Sequence, residues 1–545
     1  MKYIFVSGGV ISGIGKGIAT ASIALLLKSA GFKVAPIKMD PYLNIDAGTM
    51  NPLAHGETFV LDDGRETDQD LGHYERFLNE SLNSTNIATQ GSIYLSVIQK
   101  ERNLEYGGDY VDIHNVTQEI IQRIQQAGRA KNADIVIIEI GGTAGEYQNV
   151  LFLEANRLLK LRRSADVIHI HISYLPIPRN LGEMKSKPVQ MSVRDLNSVG
   201  IQPDILLARS ELPIDEPRIK RLSFNTGIEP EDIIAAPDVT NIYEIPLNFE
   251  KGNLTARILN KLHLKRKNKD LVAWRGFVKK VEQAVTPVKV GIVGKYFSSG
   301  AGVLSDSYIS VIEALKHASF TQGLKPEISW LDSGKVLGKV DQLKAYQGII
   351  VPGGFGSRDI EGKIAAIKYA RENKIPYLGL CYGMQMAVIE YARNVLRLKE
   401  AHTTEIDPDT EFPVIHIMPD QAKKLLSKDY GGTMRLGAWE CVLKKGSLAR
   451  KLYGKSKISE RHRHRFEFNN DFRKNFHVNG MLISGTSPDG RLVEIIELKD
   501  HPFFVGTQFH PELKSRPLSP HPLFMGFIKA ASQTQATIDK RPAVV

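Results

Sequence analysis

The stretch from Lys2 to Ala30 constrains this chain more than any other. It reads KYIFVS, then GGVISGIGKG, then an apolar run through IATASIALLLKSA. A short apolar segment, a glycine-rich turn and a helical pattern open a βαβ unit, which predicts a parallel sheet with crossover helices. The rhythm continues with strands predicted at KVAPIK, ADIVIIEI, DVIHIHIS, DILLAR and DIIAA. Sheets wound this way place ligands at the carboxyl ends of their strands, where the glycine turn sits. Exposed N–H groups and a helix N-terminus suit a phosphate there, and Lys16 adds a positive charge. The turn departs from the common phosphate loop G-x-x-x-x-G-K-[ST], whose last hydroxyl holds Mg²⁺. Val10 stands at the first glycine position, and Gly17 replaces the hydroxyl residue.

A metal at this loop therefore needs hard oxygens from elsewhere. Glu139 ends the apolar strand DIVIIEI, where a charge is costly unless it meets a metal or a donor. Asp70, in ETDQDLGHYERF, is the second candidate; standing alone it reads as a solvated loop acid. Lys38, in IKMDPYLN, falls on the same rim, with a surface lysine as the plain alternative.

At 545 residues the chain exceeds one core. We expect a two-domain α/β protein, both domains doubly wound. Residues 1–266 form the first domain, 267–287 a charged linker, 288–535 the second domain and 536–545 a tail. The second domain restarts the rhythm at VKVGIVGKY, DSYISVIEALKHA, GIIVPGGFG and PYLGLCYGMQMAVIEYAR. The net charge of +11 fits nucleic acid or anionic metabolites such as nucleoside triphosphates. With no zinc-finger or aromatic RNP signature, no nucleic-acid partner is expected. Two cysteines exclude a disulfide framework and favour a reducing cytoplasm. No secretory signal and no membrane span is expected.

One of those cysteines stands in GLCYGMQ, between Gly379 and Gly383 at a predicted strand-to-helix turn. G-x-C-x-G has the form of a nucleophile elbow. It exposes the side chain, and the next N–H and the helix N-terminus favour an anion. A buried structural cysteine is the plain alternative. Against that stands QFHPE, where His510 and Glu512 follow a strand and supply a base and a carboxylate to orient it.

Three segments carry a family resemblance: GGVISGIGKG, the run from Asp40 to Phe77 and EIGGTAGE. They resemble the amidoligase domain of the CTP synthase family, and the likeness runs through nearly the whole chain in order. GLCYGMQ with QFHPE resembles the class I glutamine amidotransferase domain. The resemblance implies a P-loop-type amidoligase domain followed by a glutamine amidotransferase domain. It implies ATP-dependent amination of UTP to CTP at C4, through a 4-phosphorylated intermediate and ammonia from glutamine. Carried over, ATP meets Gly13, Ile14, Gly15, Lys16, Gly17, Ile18, Asp70, Asp238 and Val239. Mg²⁺ meets Asp70 and Glu139. UTP or CTP meets Ser12, Lys38, Glu146, Tyr147, Gln148, Lys185, Lys187, Gln190 and Lys220. Cys381, His510 and Glu512 form the triad, and glutamine meets Gly354, Tyr382, Gln385, Glu405 and Arg465. The oxyanion falls to backbone N–H groups near Gly354 and at Tyr382, a position where the family commonly has Leu. His55 matches a position near the ammonia entrance. GTP as an allosteric activator, a homotetramer and filaments are further implications.

The chain also departs from the family around the inhibitory CTP pocket. The usual Gly-Asp-Ile-Glu is here GEYQ, the usual Val-Ile-Pro-His is VDIHN around His114 and Asn115, and Val189 replaces a hydroxyl residue. Relaxed CTP feedback is the expectation. Three other readings compete. One is a different pyrimidine acceptor. Another is an amidoligase of the cobyrinic acid diamide synthase kind. The last is a non-enzymatic, nucleotide-regulated filament or partitioning-type protein.

Overall fold

The structure is a computed structural model that describes residues 1–51, 55–180, 182–267, 270–295, 298–299, 302–303, 305–354, 356, 359–417 and 434–538. It divides into two compact units, neither continuous in sequence. One comprises Met1–Thr49 and Asp70–Val278, the other Met50–Gln69 and Lys279–Val545.

The first unit is built on strands β1 (Lys2–Gly9), β2 (Val34–Asp40), β3 (Ile87–Thr89), β4 (Ile135–Ile140), β5 (Val167–Tyr174), β6 (Ile205–Ser210) and β7 (Ile233–Pro237). They lie in the order β3-β2-β4-β1-β5-β6-β7, and every pairing is parallel. Strands covered on both faces read as continuous apolar runs, which is why IVIIEI is buried throughout. The order reverses around β1, so the crevice at its carboxyl end is where a ligand is expected. The glycine loop leaves β1 there and enters the helix Lys16–Ser29.

The second unit begins with strands β8 (Thr286–Gly294), β9 (Leu324–Asp332), β10 (Gly348–Val351) and β11 (Tyr377–Leu380). It continues with β12 (Arg435–Leu443), β13 (Lys457–His464), β14 (Met481–Thr486), β15 (Val493–Leu498) and β16 (Phe504–Thr507). Their order is β9-β8-β10-β11-β16-β15-β14-β12-β13. From β9 to β16 the pairings are parallel. From β16 to β13 they are antiparallel. Only the first half is wound as the sequence suggests. In the rest β12 and β13 pair as neighbours, and β14 returns to the other side of β12, so these strands run antiparallel.

Residues 50–69, read as part of the first domain, fall in the second unit, and two further boundaries differ from the sequence reading. Within 267–287 the chain forms the helix Val272–Gln283. Its Trp274 is 1 % exposed, lies 4.9 Å from the Phe77 ring and donates from Nε1 to the Tyr243 carbonyl at 2.8 Å. The last helix runs Pro522–Ile538, into the span read as tail; residues 539–545 and linker residues 268 and 269 lie outside the described residues. No helix among the described residues is long and apolar enough to cross a membrane.

Candidate active sites

At the glycine loop the backbone is bent into the left-handed region at Gly13 (φ 70°), Gly15 (φ 90°) and Val10 (φ 78°). Glycine takes this region freely. A β-branched residue does so only under strain, and Val10 is such an outlier, at the position where the usual loop has glycine. Lys16 Nζ donates to the Gly142 carbonyl at 2.8 Å. Burial lowers its pKa, and Lys38 adds to the fall. Ser12 is exposed within the loop, and Ile18 is half-buried in the first turn of the helix that follows.

Parallel pairing sets Lys38 of β2 opposite Glu139 of β4. Lys38 Nζ lies 2.7 Å from Glu139 Oε1 and also donates to Asp70. Glu139 is wholly buried; burial raises its pKa, as does Asp70, while Lys38 opposes both. Asp70 behaves the other way: burial would raise its pKa, but Lys38 and His73 outweigh burial and lower it. The Asp70 side chain is 20 % exposed, so the cluster is open on that side.

The missing hydroxyl now has a reason. A Cβ on Gly17 would lie 1.9 Å from Asp70 Oδ1. The carboxylate occupies the space that Ser or Thr would need. Mg²⁺ takes one or two carboxylates and completes its shell with phosphate oxygens and water. Asp70 and Glu139 fit that donor set, and nearby Asp40 keeps a buried Oδ2 with no hydrogen-bond partner.

Ile14, Gly15, Asp238 and Val239 line one pocket with Arg209, Leu207 and Phe249. Arg209 joins its two sides, donating from Nη1 to the Ile14 carbonyl at 2.8 Å and from Nε to Asp238 at 3.2 Å. The remaining nucleotide candidates are scattered. Glu146 accepts from Gln148 at 3.0 Å, and Tyr147 is 97 % exposed. Lys185 pairs with Glu183 and Lys220 with Glu216, both at the surface. Lys187 and buried Gln190 sit in the first turn of the helix Lys187–Ser198. His114 and Asn115 serve the cap of the helix Ile113–Ala130.

In the second unit, Cys381 caps the helix Tyr382–Asn394 with φ 48° and ψ −98°. That strained turn requires its glycines: a Cβ on Gly383 would meet the Val351 carbonyl oxygen at 2.0 Å, and one on Gly379 the Gly383 carbonyl carbon at 2.8 Å. Cys381 is 3 % exposed and shares a pocket with Gly353, Gly354, His510, Glu512, Arg463, Tyr308, Glu57 and Thr58. His510 Nδ1 lies 2.7 Å from Glu512 Oε1. Burial works against the imidazolium, but Glu512 and Cys381 outweigh it and raise the His510 pKa well above its usual value. Nε2, the atom left for the thiol, has no hydrogen-bond partner.

Gln385 donates to the Phe466 carbonyl at 2.9 Å. Glu405 accepts from the Gly356 N–H at 3.0 Å, and burial raises its pKa even though Gly356, Lys295 and Arg465 oppose it. The Tyr382 hydroxyl donates to the Gly356 carbonyl at 2.9 Å. The residue in the commonly Leu position thus holds the same glycine from the other side. His55 is exposed and outside the pocket lining.

Several neighbours escaped the sequence reading. Asp40 and Tyr74 join the Lys38 cluster, and Arg209 braces the pocket above the loop. Gln508 donates to Cys381 Sγ at 3.7 Å. Gln508 alone had a signal: it stands in QFHPE, two residues before His510.

Comparison with known proteins places these sites in context. Residues 2–264 match the family described as "CTP synthase N-terminus", and residues 303–530 match "Glutamine amidotransferase class-I". The CTP synthase of Halalkalibacterium halodurans is 50% identical over 97% of this chain and 99% of its own length. That of Caldanaerobacter subterraneus subsp. tengcongensis is 51% identical over 97% and 98%. The CTP synthase of Sulfolobus acidocaldarius is 50% identical over 97% and 99%. The class is thus a two-part chain ending in a class I glutamine amidotransferase region. More narrowly, the chain belongs to the CTP synthase family.

Proposed function

We propose that this chain makes CTP from UTP, ATP and glutamine. Oxide is a hopeless leaving group at uracil C4, so the γ-phosphoryl of ATP passes first to O4 of UTP. Ammonia then attacks C4, and phosphate leaves with the oxygen. Lys16 and Lys38 stabilise charge on the transferring phosphoryl group. Gly13, Ile14, Gly15, Gly17 and Ile18 present backbone to the ATP phosphates, and Asp238 and Val239 receive adenine. Asp70 and Glu139 hold Mg²⁺, which supplies charge neutralisation on the phosphates when bound. Ser12, Glu146, Tyr147, Gln148, Lys185, Lys187, Gln190 and Lys220 are assigned to the pyrimidine nucleotide.

Ammonia comes from glutamine by acyl transfer. Cys381 attacks the side-chain carbonyl, while His510 takes the thiol proton and returns a proton to the departing ammonia. Glu512 orients His510. Backbone N–H groups at Gly354 and Tyr382 receive the oxyanion, and Gln385, Glu405 and Arg465 hold the substrate. Water then releases glutamate from the thioester. Ammonium, the main form at neutral pH, is no nucleophile, so ammonia made and used within one protein escapes protonation.

The observation that carries this reading is the assembled Cys381–His510–Glu512 pocket, in a chain half identical to curated CTP synthases along nearly its whole length. Activation by GTP, a homotetramer, filaments, cytoplasmic location and relaxed CTP feedback belong to the same proposal. Incubation with ATP, Mg²⁺, glutamine and UTP should change the ultraviolet spectrum as uracil becomes cytosine. No change with UTP, but turnover of another acceptor, would replace the substrate assignment.

A further inference from the structure

Residues 50–69 precede Asp70 in the chain, yet they belong to the compact unit that holds the thiol. A short antiparallel pair, Phe59–Val60 with Glu66–Thr67, shapes this segment. Its backbone lies directly on β12: the Ala438 N–H donates to the Asp62 carbonyl at 2.8 Å, and a Cβ on Gly437 would meet the Gly64 nitrogen at 2.6 Å. Three of its carboxylates grip the unit. Glu57 accepts from the Ser310 N–H at 3.2 Å. Asp62 accepts from Arg461 Nε at 2.7 Å and lies 3.2 Å from Lys514 Nζ. Glu66 accepts from Arg463 Nε at 2.6 Å.

The two arginines alternate along β13, so both fall on one face of the strand. His462 and His464 fall on the other face, bonded to each other at 2.9 Å, with His462 3.5 Å from Glu494. The main chain at each arginine meets one catalytic residue. The His510 N–H donates to the Arg461 carbonyl at 2.8 Å, and Cys381 Sγ lies 3.8 Å from the Arg463 carbonyl. The Arg461 side chain is 0 % exposed, so loss of Asp62 removes a counter-charge from a buried cation.

We propose that Asp62 and Glu66 are positioning residues for the thiol chemistry: through Arg461 and Arg463 they fix the strand backbone against which His510 and Cys381 are held. This rests on the assignment of Cys381 and His510 as nucleophile and base. It makes glutamine hydrolysis depend on a segment from the sequence of the other domain.

The test uses the full-length chain carrying Asp62→Asn, Glu66→Gln, both together, and the milder Glu66→Asp. Glutaminase kcat and KM are measured, with the rate of Cys381 alkylation by iodoacetamide as a second readout. Misplacement near the reacting atoms lowers kcat roughly ten- to a hundredfold in the double variant. KM changes little and alkylation slows, while Glu66→Asp recovers part of the loss. A folded double variant with unchanged kcat and unchanged alkylation overturns the proposal. If the double variant fails to fold, Glu66→Asp and Arg463→Lys decide by the same two readouts. Cys381→Ala separates the levels: retained glutaminase there would overturn the nucleophile assignment itself, whereas its loss beside a wild-type-like double variant would overturn only the positioning role.

Discussion

At the glycine loop, cations and carboxylates are stored together. Lys16 and Lys38 lie among Asp40, Asp70 and Glu139, and Lys38 bridges two of the acids. Around Cys381 the charge is arranged as a relay instead, with Glu512 on His510 and an unpartnered Nε2 left for the thiol. The first arrangement needs a ligand to complete it, because a phosphate or a metal must take over partners that now satisfy one another. In the second, His510 and Glu512 already stand in order, with His510 Nε2 left open. Phosphoryl transfer at the first site would depend on rearranging charge, whereas thiol attack at the second depends on fixed geometry.

The largest effects that could break this contrast lie at the carboxylates. Asp70→Asn and Glu139→Gln should each lower ammonia-dependent CTP synthesis by at least about a hundredfold, since each removes a carboxylate proposed to hold the Mg²⁺ that neutralises the phosphates. Glutaminase should stay measurable in both. Steady-state assays of the two reactions check this, and Mg²⁺-dependent synthesis at normal rate would point to other ligands.

Gly17→Ser sharpens the same point. It restores the usual hydroxyl of a phosphate loop, yet it should lower synthesis roughly tenfold or more, because its Cβ meets Asp70 Oδ1 at 1.9 Å. An unchanged rate would show that Asp70 moves away at little cost.

A smaller effect, confined to the second unit, depends on pH. Lys363 is buried with its amine 4.7 Å above the Tyr382 ring. Burial, then Lys295, lowers its pKa to about 7. In the unfolded chain the amine titrates near about 10.4. Between these values the unfolded state binds the extra proton, so stability rises with pH across the window, and the cost is fully present below about pH 7. Lys363→Met should remove that rise and stabilise the protein most at acid pH. Denaturant unfolding at several pH values measures it; parallel stability–pH curves for both proteins would refute the assignment.

The smallest effect concerns CTP. On the proposed assignment of residues 146 to 148 to the pyrimidine nucleotide, Gln148 lacks the charge that a Glu there would offer to ligand hydroxyls. Losing one charge-assisted hydrogen bond costs about 1.5–3 kcal/mol, or roughly ten- to a hundredfold in affinity. Tyr147 is exposed, and Gln148 already donates to Glu146 at 3.0 Å. A CTP titration at fixed UTP, repeated after restoring Asp, Ile and Glu at 146 to 148, should show weak inhibition that the restoration strengthens.

The two sites also differed in how legible they were. GLCYGMQ and QFHPE each concentrate their chemistry within a few residues, and turn geometry follows from such local spacing. The Lys38, Asp70 and Glu139 cluster is spread over three elements, and only strand pairing brings it together. Residues read singly, such as Lys185 and Lys220, meet local carboxylates at the surface, as a solvated charge does. The parallel sheet of the first unit was legible from its apolar runs. The antiparallel half of the second was not, since alternation fixes a strand but not its direction. Nor could periodicity show that residues 50–69 belong to the second unit, which depends on ion pairs about 400 residues apart in sequence.

The central claim is that the chain divides its labour between a thiol that releases ammonia and a phosphate loop that uses it. Cys381→Ala tests this most directly, assayed for CTP formation first with glutamine and then with added ammonia. The account predicts loss of glutamine-dependent synthesis by at least about a thousandfold, with ammonia-dependent synthesis retained and rising with pH as free NH₃ increases. Equal loss of both activities in a folded variant would contradict it.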